Sequence, residues 1–207
     1  MARAASRKTP TRIQRARTEA ILEAALEVFS THGFRGATLD MVAEAAGISK
    51  PNLLYYFASK EEIHRTLLER LLDTWLDPLR ALDPAGDPVA ELGAYVRRKL
   101  EMARDFPRES RLFANEMLQG APRIGDALAG PLRALVDEKA AALRAWSAAG
   151  RIAPLDPHHL IFSIWAVTQH YADFDVQVRA VLGVEDAGRF DAAAAFLDAL
   201  YARALAP

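Results

Sequence analysis

Residues 38–57, TLDMVAEAAGISKPNLLYYF, hold two short helical patterns on either side of a tight turn, and this stretch decides the fold. Thr38 stands where the N-cap of the first helix is expected, and Ser49 stands at the same place before the second. The segment 46–48 contains the glycine that such a turn needs. Pro51 falls in the first turn of the second helix, where its missing N–H removes no helical hydrogen bond. The pattern predicts a helix-turn-helix unit.

The second helix of this unit carries polar side chains of the kind that bind nucleic acid. Lys50, Asn52, Tyr55 and Tyr56 offer hydrogen-bond donors suited to phosphate oxygens and to base edges. Two consecutive tyrosines on one short helix cannot both point into the core. A generic pair of packed helices is the alternative, but the polar face favours a helix that lies in a DNA groove.

The chain on both sides of this unit is helical by pattern. Residues 12–32 form an amphipathic helix that is expected to end at Gly33, and a capping box of Ser59 and Glu62 opens a long helix over 59–82. After the Pro/Gly-rich break at 83–88, helical patterns cover 88–105, 108–119, 126–149, 157–182 and 187–205. No convincing alternating strand is present. We therefore predict an all-α fold of about nine helices.

Charge is unevenly distributed along the chain. Residues 1–60 hold nine Lys/Arg and five Asp/Glu, a net charge of +4, although the whole chain has a net charge of -1. A basic N-terminal part on an acidic body indicates that one end meets a polyanion. The predicted domains are a basic flexible arm over 1–10, a DNA-binding unit over 11–58 and a helical body over 59–207.

Composition excludes several classes of protein. The absence of cysteine rules out disulfides, thiolate catalysis and Cys-ligated metal. No apolar run reaches the ~20 residues of a membrane helix, and the basic start is followed by no apolar stretch of a secretory signal. These features predict a cytoplasmic protein that does not bind a membrane.

The sequence offers no set of residues for catalysis. His158 and His159 are adjacent and diverge on a helix, and the pair His170 and Asp173 lacks a third metal ligand at a matching spacing. No phosphate-binding glycine loop and no HExxH motif is present. We therefore expect no enzyme, no cofactor and no metal. A helical interaction protein without operator specificity is the remaining non-enzymatic alternative.

Over about 18–62 the chain resembles the N-terminal domain of TetR-family transcriptional regulators. The matching segments are 24–29 (AALEVF), Gly33-Phe34, Thr38, Ala43, 46–49 (AGIS), Tyr56-Phe57 and 59–61 (SKE). The resemblance implies that Lys50, Pro51, Asn52 and Tyr55 approach base edges. It also implies that backbone phosphates are held by Thr38, Tyr56 and Lys60. Pro51-Asn52 and Leu54 depart from the family pattern, which leaves the operator sequence open.

The last two helical patterns carry more apolar surface than one core contact requires. TetR-like proteins pair these two helices into a four-helix bundle, and the resemblance therefore implies a homodimer. The predicted interface residues are Ile161, Trp165, Phe190, Phe196, Leu197, Leu200 and Tyr201. Burial of the 157–182 helix within one monomer is the alternative.

A group of polar residues lies among aromatic residues in the body, where the family binds a small effector. Gln169 lies four residues after Trp165 and four before Asp173, so the three share a helix face. The predicted ligand residues are Trp75, Phe113, Asn115, Glu116, Gln119, Trp165, Gln169 and Asp173. The alternative is that Gln169 bonds a neighbouring carbonyl as a structural amide.

Three segments further resemble the pyrimidine-responsive regulators within this family: 52–57, 113–122 and 164–178. This resemblance implies a repressor of pyrimidine utilisation genes that uracil or a related pyrimidine releases from a palindromic operator. A primary amide complements the donors and acceptors of uracil, and an aromatic ring offers a stacking face. Residues 160–178 contain no Lys or Arg, which disfavours a free carboxylate ligand. A different small neutral or aromatic ligand is the alternative.

Overall fold

The computed structural model describes residues 11–183 and 188–207, and every regular element within these ranges is a helix. The predicted all-α class is confirmed; the proposed arm over 1–10 lies outside the described residues. The helices are α1 (Arg12–Gly36), α2 (Leu39–Ala45), α3 (Lys50–Tyr56), α4 (Lys60–Arg80), α5 (Pro88–Asp105), α6 (Pro107–Leu118), α7 (Gly125–Ala127), α8 (Arg133–Ala148), α9 (Pro157–Asp173), α10 (Asp175–Leu182) and α11 (Gly188–Leu205), with a π-helical segment at Leu128–Leu132 between α7 and α8.

Two of the expected helices differ from the pattern. The stretch 157–182 forms two helices, because the backbone at Phe174 leaves helical geometry at φ −115° and ψ 28°. The stretch 126–149 contains the π-helical segment, whose Pro131 has no N–H to donate. Apolar spacing continues through both irregularities, so periodicity did not reveal them. At the start of α4 the Glu62 carboxylate accepts from the Ala58 N–H, at 2.7 Å, one residue earlier than a capping box requires.

The described chain divides into two compact units within α4, after Leu67, whereas the sequence suggested a boundary at 58/59. The N-terminal unit contains α1, α2 and α3. Its core includes Ile21, Ala25 and Phe29 from one face of α1, which follow helical spacing and are fully buried. This core presents the helix-turn-helix on a rigid support.

The second unit is built around α5, which packs against both α9 and α11. Its core residues come mainly from the apolar faces of α5, α8, α9 and α11 and include Leu92, Val96, Leu100, Val136, Leu143, Ile161, Ile164, Phe190, Leu197, Tyr201 and Leu205. Apolar burial of this kind contributes the largest favourable term to the folded state. The candidate ligand residues lie beside this core.

A buried lysine closes the C-terminal end of α4. The Lys139 Nζ donates to the backbone oxygens of Arg80, at 3.0 Å, and Leu82, at 3.1 Å. The last carbonyls of a helix have no partner within the helix, and here an ammonium supplies the donors. Lys139 is only 5% exposed, so these hydrogen bonds form away from water.

Candidate nucleic-acid interface and ligand cavity

The turn between α2 and α3 is fixed by backbone hydrogen bonds. Gly47 has a φ of 64°, in the left-handed region that glycine adopts without strain. Its N–H donates to Glu44 O and the N–H of Ile48 donates to Ala43 O, each at 3.0 Å. This pair of bonds is a Schellman-type helix ending, and it sets the direction in which α3 leaves the turn.

Both predicted helix caps are present. The Thr38 hydroxyl accepts from the Met41 N–H at 3.2 Å, and the Ser49 hydroxyl accepts from the Asn52 N–H at 3.4 Å. The bond to Asn52 uses its backbone, so the Asn52 side chain remains available to a ligand.

One face of α3 is exposed and polar. Lys50, Pro51 and Asn52 are exposed, and Tyr55 is 71% exposed, whereas Leu53 is fully buried. Leu54 is also exposed. The Lys50 Nζ contacts an Asp40 carboxylate oxygen at 2.9 Å. Exposed ion pairs of this kind contribute little energy, so DNA phosphate can replace the carboxylate.

Tyr56 and Lys60 are less accessible than the base-contact candidates. Tyr56 is half-buried and packs edge-on against Tyr55. The Lys60 Nζ donates to Phe34 O at 2.8 Å and to Ala37 O at 2.7 Å, near the end of α1. Lys60 therefore stabilises the N-terminal unit, a role the sequence did not reveal. A Lys60 variant would change stability as well as any phosphate contact.

The first turns of α1 present exposed arginines. Thr11 and Gln14 form a capping box, with the Thr11 hydroxyl accepting from the Gln14 N–H at 3.2 Å. Arg12, Arg15 and Arg17 are exposed, and no acidic residue occupies the first turn. Cations near a helix N-terminus oppose the helix dipole, so helix stability does not account for them. They are suited to a polyanion.

A cavity of about 260 Å³ lies in the second unit. Its described lining comes from α4, α5, α6, α9 and the π-helical segment and comprises Leu72, Trp75, Leu76, Lys99, Phe113, Met117, Leu128, Leu132, Trp165 and Gln169. The volume is below that of typical drug-sized sites, so the cavity suits a smaller molecule. Lys99 and Gln169 are the polar members of this lining.

Indole rings are held in place at the cavity wall. Trp165 donates from Nε1 to the Tyr95 hydroxyl at 2.6 Å, which fixes the plane of its indole. Trp75 packs edge-on against Phe113 with ring centroids 5.1 Å apart. The amide of Gln169 is half-buried and makes no hydrogen bond to any described residue. The alternative of a structural amide therefore does not describe Gln169 in this structure.

Lys99 is a cavity residue that the sequence analysis missed. It is 6% exposed, and its Nζ lies 5.2 Å from the Trp75 ring centroid. Burial lowers the pKa of Lys99 to about 8, and the negative charge of Asp173 opposes that shift. The signal was available in α5, because Lys99 lies within the apolar stripe that also contains Leu92 and Val96.

Both units of the chain match models of known protein families. Residues 21–66 match the family model described as "Bacterial regulatory proteins, tetR family", and residues 68–207 match "YcdC-like protein, C-terminal region". The chain belongs to the TetR family. It is a DNA-binding transcriptional regulator, and this family is not one of enzymes.

Among curated proteins, the chain is similar to the HTH-type transcriptional regulator RutR of Escherichia coli K12. The two are 54% identical over 168 residues, which cover 81% of this chain and 79% of RutR. The similarity therefore includes much of the body as well as the helix-turn-helix.

Solved structures of TetR-like proteins share the fold. A putative transcriptional regulator, SCO4942 from Streptomyces coelicolor, aligns with a TM-score of 0.69 at 26% identity and covers 88% of this chain and 96% of its own. AibR, solved in complex with isovaleryl coenzyme A and operator DNA, aligns with a TM-score of 0.67 at 20% identity, covering 89% and 97%. TetR-family regulators bind operator DNA and small effectors.

Four of the predicted ligand residues of this TetR-family regulator lie outside the described lining of the 260 Å³ cavity. Glu116 is buried, and its carboxylate accepts from the backbone N–H and the guanidinium of Arg123, each at 2.7 Å. It anchors the loop after α6 and is already bonded. Asn115 and Gln119 are exposed on α6 and at its end, because their positions fall outside its buried stripe.

Asp173 lies beside the cavity and not in its lining. Its carboxylate accepts a hydrogen bond from the Ser110 hydroxyl, and burial raises its pKa. Together with Asn115 and Arg111 it lines an adjoining cavity of about 470 Å³, which shares Phe113 and Gln169 with the first.

The predicted interface residues divide between the core and the surface of the second unit. Ile161, Phe190, Leu197 and Tyr201 pack into the core of the body, because α9 and α11 each turn one apolar stripe towards α5. Trp165 lines the cavity.

Two residues of α11, Phe196 and Leu200, form a second apolar stripe that is exposed. Phe196 is 62% exposed, and Leu200, one helical turn later, is also exposed. Phe162 on α9 adds a third exposed apolar side chain. We refer to Phe162, Phe196 and Leu200 as the candidate subunit surface.

Two further observations concern metal sites and membrane-spanning helices. Among residues 11–183 and 188–207, no cluster of at least three His, Asp or Glu side chains is arranged to hold a metal ion. No helix in that part of the chain is both long and apolar enough to span a bilayer.

Proposed function

We propose that this TetR-family regulator represses genes of pyrimidine utilisation, acting in the cytoplasm as a homodimer on a palindromic operator. Uracil or a related pyrimidine in the 260 Å³ cavity would release it from DNA. The observation that carries this proposal is the similarity to RutR, which extends over 81% of the chain and includes the unit that contains the cavity.

The chemistry of the cavity supports a pyrimidine. Uracil is planar and neutral, with two carbonyl acceptors beside two N–H donors. The free amide of Gln169 supplies one donor and one acceptor, and the Lys99 ammonium supplies donors to a carbonyl. Trp75 and Trp165 supply aromatic surface. A different small aromatic ligand of the same size is the competing proposal.

The coupling between effector and DNA would pass through α4. This helix begins at Lys60, directly after the helix-turn-helix, and carries Trp75 into the cavity lining. A ligand shifts the protein between two conformations only through its different affinity for each. Allosteric couplings of about 1–3 kcal/mol are typical, and these change affinity by about 5- to 150-fold.

The test is operator binding with and without effector, followed by fluorescence anisotropy of a labelled duplex. We expect saturating uracil to weaken operator binding by about 5- to 150-fold. The control is 1,3-dimethyluracil, which keeps the ring but lacks its N–H donors. If uracil at millimolar concentration gives no heat in calorimetry and no shift in melting temperature, the pyrimidine proposal fails and DNA binding stands.

The exposed face of α3 gives a second testable prediction. We expect Asn52→Ala to alter sequence preference at one base pair of each half-site, at a cost of about 1–3 kcal/mol of discrimination. Selection from a randomised operator library would measure it. The matched variant Arg15→Ala should weaken all duplexes about equally and reduce the salt dependence. An unchanged preference in the Asn52 variant would contradict this assignment.

A further inference from the structure

Lys99 is buried in the cavity without a hydrogen-bond acceptor. No described residue accepts a hydrogen bond from its Nζ, and the contact it makes is with the face of Trp75 at 5.2 Å. Lys139, buried to the same degree, has two backbone carbonyls as acceptors. The Lys99 side chain is 6% exposed, and its ammonium faces the cavity, so it is free to pair with an acceptor that a ligand brings.

The charges around Lys99 are few. The described cavity walls from α4, α6 and the π-helical segment are apolar, and α9 contributes Trp165 and Gln169. Asp173 on α9 is the charged group that acts on Lys99, and its carboxylate is bonded to Ser110 and faces His170 and Arg111. Tyr95, on α5 with Lys99, is bonded to the Trp165 indole. Among the described residues, Asp173 alone offsets the positive charge that Lys99 presents to the cavity.

We propose that Lys99 makes the cavity select acidic heterocycles and bind them as ring anions. This inference rests on the proposed function, since it takes the ligand to be a pyrimidine. On binding, the ring N–H of the ligand loses its proton to solvent, and Lys99 keeps all three of its protons. The resulting ion pair forms where water is excluded, so its attraction is stronger than in solution.

This proton balance sets a pH dependence. Below the pKa of free Lys99, about 8, the complex holds one proton fewer than its separate partners, so affinity rises with pH. Between that value and the ring pKa of the ligand, no net proton is exchanged and affinity is flat. Above the ring pKa a proton must be taken up, and affinity falls.

The experiment is a calorimetric series at pH 7 with ligands of graded acidity: 5-methyluracil, uracil, 5-fluorouracil and 5-nitrouracil. Electron-withdrawing substituents make the ring N–H more acidic and methyl makes it less so. We expect affinity to increase about tenfold for each unit by which the ring pKa falls, and to level off for a ligand whose ring is already ionised at pH 7. Buffers of different ionisation enthalpy should report about one proton released for each uracil bound, and none for a ligand that is already ionised at pH 7.

Variants separate the role of charge from that of shape. Lys99→Met should weaken binding of 5-nitrouracil by about tenfold or more and abolish the dependence on ligand acidity. Lys99→Arg keeps the charge and should keep the order of affinities. The affinities of the wild-type protein for the four ligands, together with the number of protons released, test the inference without either variant.

The outcomes are distinguishable. If the wild-type protein binds uracil but its affinities do not follow acidity, or if no proton is released, the inference is overturned and the proposed function stands. If it binds none of these pyrimidines, the proposed function fails and the inference with it. Retention of the acidity order in folded Lys99→Met would also overturn it.

Discussion

Lys139→Met should lower the free energy of unfolding of the second unit by about 2–5 kcal/mol, because one buried and one part-buried carbonyl would each lose a donor. These carbonyls belong to Arg80 and Leu82 at the end of α4, where no helical N–H replaces the ammonium. Methionine keeps most of the side-chain volume, so the loss is one of hydrogen bonding. Urea denaturation followed by circular dichroism would measure it.

The same substitution at Lys99 is the matched control. Lys99 and Lys139 are 6% and 5% exposed, but the Lys99 ammonium has no acceptor among the described residues. Replacing it with methionine removes an unpaired buried charge, so we expect stability without ligand to be unchanged or raised by about 1 kcal/mol. Equal destabilisation of both variants would show that packing of the side-chain stem, and not hydrogen bonding, dominates.

The double variant Phe196→Glu with Leu200→Glu should convert the protein to a monomer and weaken operator binding by about 100-fold or more. One helix-turn-helix makes few base contacts, and a dimer gains affinity by placing two on linked half-sites. Glutamates at these exposed apolar positions would put like charges opposite one another across a two-fold interface. Sedimentation and anisotropy on the same samples would show both effects.

A matched control for this double variant lies on α10. Val176 is an exposed apolar residue outside α9 and α11, so Val176→Glu should leave both the dimer and operator binding intact. If the double variant remains a dimer with full affinity, the subunit surface lies elsewhere on the second unit.

The sequence predicted the helix-turn-helix in detail because the signals there are local. Thr38 and Ser49 cap their own helices, and Gly47 adopts the left-handed conformation that few other residues tolerate. Such features depend on residues three or four positions apart, so a single sequence contains them.

The cavity depends on contacts between distant parts of the chain, so the sequence predicted its lining only in part. Lys99 lies about 70 residues before Gln169, and no local pattern joins them. Glu116 was predicted to contact the ligand, but its carboxylate is hydrogen-bonded to Arg123. On α11 the buried stripe (Phe190, Leu197 and Tyr201) and the exposed stripe (Phe196 and Leu200) have the same helical period, so the sequence alone could not tell which faces the core.

The positions of the tryptophans have an optical consequence. The three indoles are Trp75, Trp146 and Trp165, and all belong to the second unit. Trp75 and Trp165 line the cavity, whereas Trp146 donates to Pro84 O at 2.8 Å outside the described lining. Tryptophan emission from this protein therefore reports cavity occupancy, with Trp146 as an internal reference and no contribution from the DNA-reading end, which has no tryptophan.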